Sequence, residues 1–228
     1  LRGERQWAVL EADCLDVLAE MPDGCVDAVV TDPPYGIGEA AGKNKSRDNA
    51  ATATDYGDDQ WDNAPMGHEW VDHVRRVSRH QIIWGGNYYD LPPTSCWLVW
   101  DKKNGSNHFA DCELAWTNLK KAVRRLEWLW NGMLRRGRAA RFHPTQKPAG
   151  VMQWCMSHLP DTARVILDPC AGSGTTGVAA LRTGRRVILI EREPKYAALC
   201  RERLEAEDEG TTVQAKRAGQ LSLLGSAK

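Results

Sequence analysis

The chain is poor in the features that most readily give a function away. Its seven cysteines, at positions 14, 25, 96, 112, 155, 170 and 200, are odd in number and nowhere stand as Cys-x-x-Cys. That spacing argues against a disulfide framework and fits a reducing compartment. The six histidines are scattered too, so no metal site is expected. No apolar run approaches the ~18 residues of a spanning helix. The stretch 1-LRGERQWAVL-10 lacks the apolar core of a secretion signal. A cytoplasmic protein with no membrane partner is therefore expected. Net charge is missing as well, because 30 Lys and Arg balance 30 Asp and Glu. There is no internal repeat.

What is present is unevenly placed. Eight basic residues, Lys120, Lys121, Arg124, Arg125, Arg135, Arg136, Arg138 and Arg141, share one segment with a single acid, Glu127. Acids gather instead in 55-DYGDDQWD-62 and 204-LEAEDEG-210. A basic stripe on a neutral chain either holds a polyanion or is a solvated helix face. Ten tryptophans supply core or interface anchors, with a few free to stack on bases. A length of 228 residues suits one domain with a sizeable core.

Short apolar runs alternate with amphipathic stretches. Strands are expected at 7-WAVL-10, 26-VDAVV-30, 81-QIIW-84, 96-CWLVW-100, 112-CELAW-116, 164-RVIL-167 and 186-RVILI-190. Helices are expected over 14–21, 67–79, 148–158, 175–182 and 194–207; the second places Trp70, Val71, Val74 and Val77 on one face. The alternation predicts an α/β fold, a mostly parallel sheet with helices on both faces. The tryptophan-rich strands near 96–116 are expected as antiparallel members at one edge. Residues 37–60 have almost nothing to bury and read as a long loop, either functional or disordered. The domain is expected to span 1–209, followed by a mobile tail over 210–228.

One loop carries chemistry. The run 168-DPCAGSGTTG-177 follows a strand and opens a helix. Gly172, Gly174 and Gly177 form G-x-G-x-x-G, and Glu191 ends the next strand, 19 residues beyond Gly172. Glycines admit a ligand close to the backbone, and an acid at that strand end suits ribose hydroxyls. A nucleotide-like cofactor is expected. This unit comes last in the chain, so the amino-terminal half must complete the sheet, which makes the order a permuted Rossmann-like one. On these residues alone an NAD-dependent oxidoreductase stays open.

Other motifs narrow the choice. The run 31-TDPPYG-36, followed far downstream by 168-DPCAGSGTT-176, resembles the amino DNA methyltransferases of the beta class, in which the catalytic motif precedes the cofactor motif. The segments 81-QIIWGGNYYD-90, 97-WLVWDKKNG-105, 111-DCELAWTN-118, 142-FHPTQKP-148 and 190-IEREPKY-196 are similar to that family's remaining motifs, in order. The likeness spans about residues 7 to 205. It implies S-adenosyl-L-methionine as cofactor. Asp168, Gly172 and Gly174 would shape the methionine pocket, with Cys170, Ser173, Thr175 and Thr176 in the same loop. Glu191 would hold the ribose hydroxyls, and Thr145, with His143 and Lys147, would face the methionine carboxylate. Asp13 would either contact the adenine or only cap the helix that follows it. Pro169-Cys170 is similar to the nucleophile motif of cytosine carbon-5 enzymes, but Cys170 lies inside the cofactor loop and reads as a small apolar residue.

The resemblance implies a site-specific, restriction-modification type of DNA methyltransferase, bacterial or phage-encoded, acting on the exocyclic amine of a flipped base. Such an amine is a poor nucleophile, since its lone pair is delocalised into the ring. Asp32 can accept one N–H and the Pro33 carbonyl the other, while Pro33 and Pro34 fix the backbone direction. Tyr35 offers a flat face for stacking. Positioning and electrostatics then carry the reaction without metal. Asp ahead of Pro-Pro-Tyr favours adenine N6 over cytosine N4 in this family. Residues 119–141 stand where the class keeps a target-recognition region, so the eight basic residues there are candidate contacts to double-stranded DNA, with Trp128 and Trp130 as packing anchors or gap fillers. The class often forms homodimers. A segment near the end, 220-QLSLL-224, is similar to the peptide with which bacterial replication proteins dock on the sliding clamp, so Gln220 and Leu224 mark a candidate clamp contact. RNA or protein methyltransferases of related type carry Asn in place of Asp32 and put the glycine loop first. A DNA-binding relative without catalysis would not need Asp32 and Tyr35 intact.

Overall fold

The computed structural model describes residues 5–36, 65–105, 110–129 and 146–219. Eight strands form one sheet in the order β1-β8-β7-β2-β3-β5-β4-β6. They are β1 (Trp7–Glu11), β2 (Val26–Thr31), β3 (Ser78–Trp84), β4 (Trp97–Asp101), β5 (Cys112–Thr117), β6 (Arg124–Glu127), β7 (Val165–Asp168) and β8 (Arg186–Glu191). The helices are α1 (Cys14–Glu20), α2 (His68–Val77), α3 (Ala149–Met156), α4 (Thr175–Arg182), α5 (Pro194–Asp208) and α6 (Val213–Arg217).

The sheet is central because its middle strands bury both faces. Along β2, Ala28 and Val30 join one apolar cluster while Val29 between them joins the other, the period of two that a strand imposes. The first cluster packs α3, α4 and α5 through Met152, Met156, Val178, Cys200 and Leu204, with Trp84 and Trp100 crossing edge to face at 6.2 Å. The second packs α1 and α2 through Leu18, Trp70, Val71, Val74 and Val77. A helix on each face is what the alternating pattern predicts.

β1, β8, β7, β2 and β3 run parallel. β5 pairs antiparallel with both β3 and β4, the antiparallel edge expected from the tryptophan-rich runs. The outermost strand differs from expectation. Arg124–Glu127, part of the segment read as a target-recognition insertion, is β6, paired parallel to β4. Its charged residues suit an edge, where bare strand groups need protection. Of the stretch read as a tail, Val213–Arg217 is α6: Thr212 caps it, Val213 is buried, and Arg217 makes a paired contact with Glu202 of α5. The loop expected at 37–60, Trp130 and residues 220–224 lie outside the described residues. No helix among the described residues is long and apolar enough to cross a membrane.

From β7 the chain crosses by α4 to β8 on one side, and from β2 by α2 to β3 on the other. The direction of winding therefore reverses between β7 and β2. In an open α/β sheet a ligand crevice forms at the carboxyl ends of the strands at such a point.

Candidate active site

The crevice is there. Its walls are Ala12, Asp13 and Cys14 after β1, Asp32 and Pro34 after β2, Gln146 and Lys147 before α3, residues 168–173 with Thr175 and Thr176 around the glycine loop, and Ile190 to Glu193 after β8. Four strand ends separated by as much as 180 residues thus meet at one cleft. Thr31 ties the two sides of the reversal together: its hydroxyl donates to Asp168 at 2.7 Å. Asp168 also accepts from the Cys170 amide at 3.0 Å. Burial raises its carboxyl to about 6, although these bonds pull the other way.

The glycine loop works through backbone. Gly172 has φ +52 and open space where a side chain would stand, and its amide donates to Glu191 at 2.7 Å. The Glu193 amide donates to the other oxygen of Glu191 at 2.9 Å. Glu191 is thereby aimed into the cleft, its pKa raised by burial. Gly174 differs from expectation. It does not line the cleft; it caps α4 at φ +76, and a Cβ there would come within 3.0 Å of Cys200 Sγ. The left-handed turn and the close contact with α5 both require glycine there. Buried Arg203 of α5 props the loop from beneath, donating to the Ser173 carbonyl and, at 3.1 Å, to its hydroxyl. Nothing in the sequence pattern pointed to that residue.

Asp13 both caps α1, accepting from the Leu15 amide at 2.8 Å, and lines the cleft. Cys14 and burial push the Cys170 thiol well above its ordinary value, so it is no thiolate nucleophile. His143 and Thr145 lie outside the described residues.

The Pro-Pro corner sits where β2 ends. Tyr35 donates to Asp32 Oδ1 at 2.6 Å, and Lys147 Nζ reaches the same oxygen at 2.5 Å. Among the described residues Oδ2 has no hydrogen-bond partner. Tyr89 donates to the Pro34 carbonyl, while the carbonyl of buried Pro33 has no hydrogen-bond partner among the described residues. Lys147 lines the cleft, as expected of a cofactor-facing residue, and also turns to the corner. Its ammonium, only 6 % exposed, lies between Asp32 and Glu113, 2.9 Å from the latter, with the Tyr35 hydroxyl at 3.0 Å and the Tyr35 and Trp84 rings beside it. A buried ammonium needs carboxylates, and the two nearest come from strands. Burial lowers the pKa of Lys147, but Asp32 and Glu113 outweigh it and the net shift is upward.

Glu113 is the functional residue that sequence reading missed. It lies on β5 and pairs with Lys102 at 2.5 Å as well as with Lys147. Burial pushes its carboxyl up, but the two lysines hold it at about 2. Asp32 stays raised, first by burial and then by Glu113, with Lys147 opposing. The only sequence signal was an acid among the apolar residues of 112-CELAW-116.

The cleft carries five carboxylates, Asp13, Asp32, Asp168, Glu191 and Glu193, against Lys147 and Arg192. With Lys147 already paired, that donor set suits a cationic ligand with sugar hydroxyls. The sulfonium, ammonium and ribose of S-adenosyl-L-methionine fit it.

Of the basic stripe, Lys121 donates to the His158 carbonyl, Arg124 to the Val123 carbonyl, and Arg125 pairs with Asp101 and Glu127. Lys120 is exposed. Arg135, Arg136, Arg138 and Arg141 lie outside the described residues. Trp128 packs against the core at Gly150. No group of metal-ligating side chains occurs among the described residues.

Comparison with known proteins agrees with this geometry. Residues 89–202 match the model of the DNA methylase family N6_N4_Mtase. The chain is 26% identical, over 254 residues, to the Type II methyltransferase M2.DpnII of Streptococcus pneumoniae, covering 91% of this chain and 92% of that one. It is 23% identical to the Type II methyltransferase M2.MboI of Moraxella bovis, with 88% of each chain covered. The crystal structure of the M1.HpyAVI-SAM complex shares the fold, with a TM-score of 0.54 at 21% identity, over 87% of this chain and 100% of that one.

Proposed function

The chain belongs to the DNA methylase family, and on that premise we propose that it transfers a methyl group from S-adenosyl-L-methionine to the N6 amine of a flipped adenine in double-stranded DNA. One observation carries the reading. Asp32 lines the cofactor-type cleft with Oδ1 held by Tyr35 and Lys147 and Oδ2 unpartnered among the described residues, next in the chain to the buried, unpartnered carbonyl of Pro33. Two fixed acceptors suit the two N–H bonds of an exocyclic amine. Accepting both localises the nitrogen lone pair and points it toward the cleft.

When bound, S-adenosyl-L-methionine supplies the methyl group on a sulfonium, a good leaving group. Glu191 would hold its ribose hydroxyls, with Asp13 toward the adenine. Ionised Asp168 and the loop around Gly172 would take the methionine part. Tyr35 would stack on the extruded base. Lys147 would keep Asp32 oriented and oppose the rise in its pKa that burial causes, and Glu113 would keep Lys147 in place. The basic residues from Lys120 to Arg141 would contact phosphates; Arg125 is held by Asp101 and Glu127.

Cytosine N4 is the second reading, because the same pair of acceptors would serve that amine and the family name spans both. Nucleoside mass spectrometry of plasmid from cells expressing the protein separates them. N6-methyladenine is expected. N4-methylcytosine alone would move the reading to the second base, and neither mark would overturn it.

A further inference from the structure

We propose that Tyr88 is the second wall of the base pocket, a ring that stacks on Tyr35 and rotates outward to clamp the extruded base. The inference deepens the methyltransferase reading and rests on it. Tyr88 closes the 3-10 turn Gly86–Tyr88, and its ring stacks on that of Tyr35 with centroids 5.1 Å apart and planes 16° from parallel. Yet it is 45 % exposed, one of three large apolar residues so placed among the described residues. Its hydroxyl has no hydrogen-bond partner there, so stacking is what holds it.

The adjacent tyrosine makes the contrast. Tyr89 donates to the Pro34 carbonyl and packs against Trp70 at 5.8 Å. Tyr89 therefore fastens the turn to the Pro-Pro corner, and backbone bonds hold the turn too: Gly85 N to the Leu114 carbonyl and Tyr88 N to the Gly85 carbonyl, both at 2.8 Å. The backbone beneath Tyr88 is fixed while its ring is free. Gly85 matters for the same reason, since a Cβ there would fall 2.1 Å from the Tyr35 ring.

A base stacked on that face of Tyr35 needs the space Tyr88 fills. Two stacking gaps of about 3.4 Å require the rings to stand about 7 Å apart, an opening of roughly 2 Å from the present spacing. A side-chain rotation supplies that without moving the turn. An extruded base read between aromatic faces recovers part of the cost of unpairing.

The test uses the full chain and compares Tyr88→Ala, Tyr88→Phe and Tyr35→Ala on duplexes carrying the site that methylation mapping of plasmid identifies. Stacking of one base is worth about tenfold to a hundredfold, so kcat/KM should fall by that factor in Y88A and be restored in Y88F. S-adenosylhomocysteine affinity by calorimetry should be unchanged in both, since Tyr88 does not line the cofactor cleft. On duplexes whose target base faces a mismatch the Y88A deficit should shrink, because less unpairing energy has to be recovered. A purely structural lesion would give the same deficit on paired and mismatched DNA. Equal deficits, no deficit, increased activity in Y88A, or failure of phenylalanine to restore it would each overturn the proposal. If Y35A falls while Y88A does not, Tyr88 alone is misread; if the wild-type chain methylates no DNA, both readings fall together.

Discussion

In the half of the cleft at the ends of β7 and β8, the polar groups are held mainly by backbone amides of the adjoining loops, with the Thr31 hydroxyl added at Asp168. Glu191 takes the amides of Gly172 and Glu193, and Asp168 takes that of Cys170. In the half of the cleft at the end of β2, beside β5, the corner is held by side chains from distant stretches. Asp32, Lys147, Glu113 and Lys102 form one chain of alternating charge, each link 2.5 to 2.9 Å. Backbone geometry is fixed by a short motif and tolerates varied neighbours. A side-chain chain depends on every member being present and on burial to give its charges weight. In the proposed reaction the first half would bind the cofactor and the second would orient the amine.

The sharpest break between them is Asp32→Ala. It should lower turnover by a factor on the order of 10³, the scale for loss of a preorganised hydrogen-bonding group. Calorimetric binding of S-adenosylhomocysteine should survive. If turnover stays near normal, the amine-acceptor role is wrong.

Gly174→Val attacks the other half. A branched residue at φ +76, with its Cβ against Cys200, should cost about 2–3 kcal/mol. It should appear as a lowered denaturation midpoint, with cofactor affinity per folded molecule little changed. A stable fold with abolished affinity would instead place this glycine in the binding surface.

Glu113→Gln probes the charge chain without emptying the site. Lys147 would keep only Asp32, and turnover should fall about tenfold, the worth of one charge-assisted hydrogen bond. Burial and Glu113 both raise the Asp32 pKa while Lys147 lowers it. Removing Glu113 should therefore shift the acid limb of the rate profile to lower pH. An unmoved limb would show that Glu113 does not speak to Asp32.

The mildest test is pH itself. Asp168 titrates at about 6, raised above its unfolded value. If the cationic cofactor prefers the ionised carboxylate, affinity should be full above that pH and weaken below it. The limit is about tenfold per unit for one proton. Asp168→Asn should bind more weakly at neutral pH and lose this dependence.

Much of this was legible before any coordinates. Alternating runs such as 26-VDAVV-30 and the spacing of Trp70, Val71, Val74 and Val77 give strand and helix because their periods differ. The order of 31-TDPPYG-36 and 168-DPCAGSGTT-176 carried the family, the sheet and the cofactor half, all of which depend on short contiguous motifs. The contrasting roles of Tyr88 and Tyr89 were invisible, because two adjacent tyrosines differ only in what the fold puts beside them. Arg203 was equally hidden, a charged residue in an amphipathic helix that reads as solvated until the loop above it is placed.

By itself, then, the sequence determined the elements, the parallel sheet with its antiparallel edge, and the residues Asp32, Asp168, Gly172 and Glu191 at the cleft. Local backbone preference and a period of apolar residues act over a few positions, so they can be read along a chain. Only the tertiary structure decided that Lys147 turns to Asp32 and Glu113, that Gly174 packs on α5, and that Arg124–Glu127 completes the sheet. A buried charge takes whichever opposite charge the fold brings within reach, and that reach is set by strand order, not by distance along the chain.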